Sequence, residues 1–165
     1  MIYHLPEDDI LYIDPVHDFP SNVHLNYKKL TEYTATLPEE IQHKAVLLNK
    51  AVYDTQRKLN LYSLNGPGSF VADIGRMETE AVKLDDVLGA DGATYIKMNI
   101  EGSELPALKG AEQTIRGFHP RLAIAGYHKT WDLWEIPELI HSMNPSYHIY
   151  LRSYMNHISF VFYCV

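Results

Sequence analysis

The sequence has a single cysteine, Cys164, one residue from its C-terminus, which excludes an intrachain disulfide framework and any multi-cysteine metal site. It is also short of positive charge: 14 Lys and Arg against 21 Asp and Glu give a formal net charge of −7. Binding to a nucleic-acid backbone needs clustered cations that release counterions, so no nucleic-acid partner is expected. No apolar run approaches the ~20 residues that cross a bilayer, so no membrane partner is expected either. The opening Met1-Ile2-Tyr3-His4-Leu5-Pro6-Glu7-Asp8-Asp9 lacks the basic start and apolar stretch of a secretory signal. With one cysteine and no such signal, a reducing, cytoplasmic setting is the expectation. Internal repeats, coiled-coil heptads and low-complexity tracts are absent as well.

What is present is enough for one domain spanning 1–165. Of the 165 residues, 46% are hydrophobic, and a chain of this length buries roughly two-thirds of its unfolded surface. Ile10 to Ile13 reads as a buried strand ending in Asp14-Pro15, since proline cannot continue a central strand. Ser21 or Asn22 is placed to cap a helix carrying Val23, Tyr27, Leu30 and Tyr33, with Pro38 at its far end. Ala45 to Leu48 with Ala51 to Tyr53, then Lys58 to Leu64, then Thr79 to Leu84 have strand character, and 65–69 is a loop by composition. A helical turn around Asp85 to Leu88 follows.

The stretch with most chemistry is Tyr95 to Glu104. Tyr95, Ile96, Met98 and Ile100 are strand-compatible, Gly102 frees the backbone, and Ser103 with Glu104 suits the positive first turn of a helix. Ionisable and amide groups thus gather at a strand's carboxyl end, where open α/β sheets bind ligands. Leu105, Leu108, Ala111 and Ile115 continue as a helical face closed by Gly117 and Pro120. Arg121 to Ala125 is a strand, and Thr130 is placed to cap a helix running to Met143. Tyr147 to Leu151 and Ile158 to Val165 pair as an antiparallel hairpin. Strand and helix alternate, which specifies a layered α/β domain.

Several segments taken in order resemble the FkbM-type methyltransferases, a group of S-adenosylmethionine-dependent class I enzymes. They are Ile13-Asp14-Pro15, Leu48 to Val52, Val82-Lys83-Leu84-Asp85-Asp86, Ile96 to Glu104 with Leu108 to Glu112, and Tyr127-His128-Lys129. The most specific is the block from Lys97 to Glu112. The resemblance implies a Rossmann-like class I methyltransferase fold with a C-terminal antiparallel hairpin. It implies S-adenosylmethionine as cofactor and O-methyl transfer to a hydroxyl of a sugar or small metabolite. Asp14 matches the acid that accepts hydrogen bonds from the cofactor ribose, a task suited to a group with acceptors only. Asp54 matches a partner for the adenine amine, and Asn99 and Glu101 fall on the cofactor side of the strand-end motif. Lys97, Glu104 and His128 are the candidates for acceptor alignment and proton removal.

Two departures accompany the resemblance. Asn99 stands where the family motif has Asp; the amide keeps one acceptor oxygen but loses the charge and basicity, which weakens any metal-binding or proton-accepting role there. The first glycine of the chain is Gly66, and thirteen residues precede Asp14. A chain lacking the family's first strand and Gly-rich cofactor loop is therefore expected. Such an N-terminally truncated sheet would have an exposed edge between the strands ending at Asp14 and Asn99, inviting self-association. A non-catalytic remnant acting as a binding or interaction module is the alternative function.

Blander roles stand beside these. Asp14 before proline also suits a turn, Lys97 a side chain reaching to solvent, and Glu101 with Glu104 a helix-dipole complement. His119, His141, His148 and His157 have no metal-ligand spacing. His128 differs because it follows an apolar strand directly. Trp131 and Trp134 are expected to pack against the domain.

Overall fold

The computed structural model describes residues 2–5, 10–13, 31–42, 46–63, 69–154 and 158–165. The candidate ribose acid Asp14, most of the helix expected after Ser21, and the 65–68 part of the glycine-rich loop lie outside these residues.

Two sheets are formed. The larger has the order β1 (Ile2–Leu5), β2 (Ile10–Ile13), β7 (Tyr95–Met98), β8 (Arg121–Ala125), β10 (Ser159–Cys164), β9 (Ile149–Tyr154). Strands β2, β7 and β8 are parallel, whereas β10 is antiparallel to both β8 and β9, and β1 is antiparallel to β2. The C-terminal hairpin read from the sequence is thus present, with β10 inserted between β8 and β9. The smaller sheet has the order β3 (Ala51–Val52), β6 (Met77–Val82), β4 (Lys58–Ser63), β5 (Ser69–Val71). In β4 the alternation is direct: Leu59 and Leu61 are buried while Lys58 and Asn60 face solvent.

Helices cover one face of the larger sheet. Besides α1 (Glu39–Gln42) and α2 (Leu84–Leu88), these are α3 (Glu104–Lys109), α4 (Glu112–Phe118) and α5 (Asp132–Met143). Ile96 and Met98 of β7 and Leu122 and Ile124 of β8 are buried in one cluster with Ala107, Leu108, Ile115, Ile136 and Ile140. Two-residue alternation in the strands and three-to-four-residue spacing in the helices meet in that layer.

Four expectations need correcting. The strands ending before Asp14 and Asn99 are not separated by a gap: β2 pairs with β7 in register from Ile10↔Tyr95 to Ile13↔Met98. The edge expected there is consumed by backbone hydrogen bonds, and the outermost strands are β1 and β9. The helix after Glu104 is broken at Gly110 and Ala111, and it ends beyond Gly117 at His119, whose left-handed φ of 50° terminates α4. Gly110 permits the break, because a Cβ there would collide with the Tyr53 carbonyl, which crosses at that point. Finally, Trp131 and Trp134 are 45% and 50% exposed, so each packs only partly against the domain.

Candidate active site

Parallel pairing of β7 with β8 delivers two connections to the same edge of the sheet, Asn99 to Ser103 after β7 and Gly126 to Trp131 after β8. Between β7 and α3 the chain reverses in four residues. Ser103 donates its N–H to the Ile100 carbonyl at 3.2 Å, and the two central residues both have positive φ, 54° at Glu101 and 86° at Gly102. That is the dihedral signature of a type I′ turn. Glycine adopts it without cost, whereas glutamate at position 101 stores about 1 kcal/mol of backbone strain.

Glu104, in the first turn of α3, is fully buried. Its Oε1 accepts the Ile100 N–H at 2.8 Å and lies 2.8 Å from His128 Nδ1, an ion-pair contact that is off the line of a ring N–H hydrogen bond. Glu104 Oε2 is buried without a hydrogen-bond partner. On the other side of the ring, His128 Nε2 is 3.7 Å from Glu101 Oε1. The imidazole, 10% exposed as a side chain, therefore has a carboxylate at each nitrogen. Burial alone would lower its pKa, but the contact with Glu104, the charges of Glu104 and Glu101 and then that of Asp132 outweigh it, and His128 titrates above an ordinary histidine.

Neighbouring groups hold the histidine in place. Tyr127 stacks on it at 4.2 Å between ring centroids and donates its hydroxyl to Asn99 Oδ1 at 3.0 Å. The Asn99 oxygen is thus already used to orient a phenol. Burial is the main reason that the Tyr127 hydroxyl titrates above its usual range. Asp132, the first residue of α5, reaches back to accept the Lys129 N–H at 2.8 Å and closes the turn into the helix, whose cap position is Trp131 without a side-chain bond rather than the expected Thr130. Burial raises the Asp132 pKa first, against the bond from Lys129.

The structure therefore brings Asn99, Glu101, Glu104 and His128 together and adds Tyr127 and Asp132. Lys97 lies two positions back from Asn99 on the face of β7 opposite Ile96 and Met98, where its charge acts on Tyr95; the charges acting on His128 are carboxylates. Asp54 is elsewhere: its backbone packs at Gly110, the far end of α3 from Glu104, and its carboxylate accepts the Thr55 hydroxyl. Asp132 was missed by sequence reading; an acid three residues after Lys129 at a helix start is the signal that identifies it. Among the described residues no group of three or more His, Cys, Asp or Glu is arranged to hold a metal ion, and no helix is long and apolar enough to cross a membrane.

The family model for the methyltransferase FkbM domain matches residues 3–162. The chain belongs to the FkbM methyltransferase family. A crystal structure of methyltransferase FkbM from Methylobacillus flagellatus KT is similar to this FkbM domain, with a TM-score of 0.69 and 25% identity. That match covers 84% of this chain and 34% of the solved one, so the FkbM domain described here spans about a third of that protein's length. No curated protein matches the chain.

Proposed function

We propose that this FkbM domain supplies the acceptor side of an O-methyl transfer, with His128 as the general base that takes the proton of a hydroxyl on a sugar or small metabolite. The observation carrying this reading is the pair of carboxylates on His128. The Glu104 carboxylate, 2.8 Å from Nδ1, electrostatically favours a proton on that nitrogen and so leaves the Nε2 lone pair for the acceptor, and its buried charge stabilises the imidazolium formed on proton transfer. The Tyr127 hydroxyl, held by Asn99, aligns the acceptor beside the base. The order β7-β8-β10-β9, with the last strand antiparallel, supports the Rossmann-like class I assignment.

The family implies S-adenosylmethionine, whose sulfonium would supply the methyl group. The described residues alone do not define its site. Strand β2 is bonded directly to β7, so no crevice opens between those two strands. Asp54 lies at the end of α3 away from Glu104. Holding the donor therefore falls to residues outside the described set, Asp14 first among them.

Incubation with methyl-labelled S-adenosylmethionine and a panel of hydroxyl acceptors tests the proposal. Label should reach the acceptor, and His128→Ala should slow transfer by about 10²-fold or more while leaving donor affinity unchanged. Turnover unaffected by the substitution removes His128 from the mechanism. The direct β2–β7 pairing favours a second reading, a non-catalytic binding or interaction module. Calorimetry decides for it if S-adenosylmethionine shows no binding in the micromolar range.

A further inference from the structure

We infer that Lys129 is a positioning residue, a latch that holds the strained Glu101-Gly102 turn so that Glu101 faces His128 Nε2. This rests on the reading of His128 as the base and adds to it a device that controls one of its two carboxylates.

The Lys129 ammonium donates to the Gly102 carbonyl, tying the connection after β8 to the one after β7. Its stem lies over Gly102 so closely that a Cβ at that position would sit 2.8 Å from Lys129 Cε and 3.6 Å from His128 Cβ. The bond is made at the residue following Glu101, whose φ of 54° is unfavourable for a glutamate. A turn strained at its first central residue needs an external contact to persist, and Lys129 supplies one at the second. The other end of Lys129 is fixed too, because its N–H is held by Asp132. The same bond commits the ammonium to a carbonyl.

Charge and latch predict opposite signs, which makes the inference testable without turnover. The groups facing His128 are Glu101 and the buried Glu104, Asp132 from the start of α5, and the Tyr127 ring; the Lys129 ammonium lies nearby at Gly102. As a bare nearby cation, Lys129 would depress the His128 pKa, so removing it would raise that pKa. As a latch, its removal releases Glu101 from Nε2 and lowers the pKa.

The experiment is an NMR pH titration of His128 in the whole chain and in the variants Lys129→Met, Gly102→Ala, Lys129→Arg and Glu101→Gln. Lys129→Met keeps the stem without the donor; Gly102→Ala keeps the charge but displaces the stem. Both should shift the His128 titration downward, in the direction of Glu101→Gln, and Lys129→Arg should restore most of the native value. An upward shift or no shift in Lys129→Met overturns the latch. Should Lys129→Met not fold, a native titration in Gly102→Ala overturns it alone. The titration is read without methyl donor, so its failure is distinguishable from failure of the methyl-transfer reading.

Discussion

His128 sets stability and reactivity against each other. Its pKa in the folded protein is raised above the unfolded value, so protonation favours folding: the stabilisation is complete below the ordinary histidine pKa and is lost as pH rises through the raised folded value. A general base must be neutral, so the rate should climb through the same interval. The expected outcome is that thermal midpoints fall between the ordinary and the raised pKa while methyl transfer rises. In His128→Asn, the part of the stability change that belongs to this interval should disappear. Parallel melting curves and rate profiles across that interval check this, and a native midpoint that rises with pH would contradict the assignment. Lys97-to-Glu104 and Tyr127-His128-Lys129 were already visible in the sequence as two polar clusters following apolar runs. Their meeting was not, because sequence shows that each run ends in polar groups but not that β7 and β8 are neighbours.

At the scale of elements, α4 depends on a residue from another helix. Ala111 opens it with no side chain able to cap, and Asp85 of α2 accepts instead from the Gln113 and Thr114 N–H groups at 3.0 and 2.8 Å and from the Thr114 hydroxyl at 2.8 Å. Thr114 is buried, so removing the acceptor leaves two donors without water to replace it. Asp85→Ala should destabilise by about 2 kcal/mol in urea unfolding, and Asp85→Asn by less, since one oxygen remains. A change within ±0.5 kcal/mol for Asp85→Ala would refute this role. Local elements were legible where period and punctuation agreed: β8 and the β9–β10 hairpin fall where alternation and turn residues place them. The single helix read through Ala111 was not one helix. Its apolar face continues across the break, and what interrupts it is the backbone of Tyr53, a contact of long sequence separation that no local pattern encodes.

For the whole molecule, the α/β layering followed from alternating strand and helix signals, whereas the division into two sheets did not. Strand β3 is two residues long and pairs with β6, whose antiparallel partnership with β4 has no signature in the order of elements. Family resemblance also implied an open place between β2 and β7, but the unpaired backbone groups of two parallel strands are satisfied by pairing with each other, and the sheet closes. The resulting FkbM domain gathers Asn99, Glu101, Glu104, Tyr127 and His128 at the carboxyl ends of β7 and β8, where the acceptor side is proposed. At its centre a buried glutamate lies against His128 Nδ1, and Nε2 is the proposed proton acceptor. The most direct measurement is the nitrogen-15 spectrum of His128 as a function of pH, in the native chain and in Glu104→Gln. A neutral form protonated at Nδ1, titrating above an ordinary histidine and falling in Glu104→Gln, is the predicted result. A neutral form protonated at Nε2, or a titration indifferent to Glu104, would contradict it.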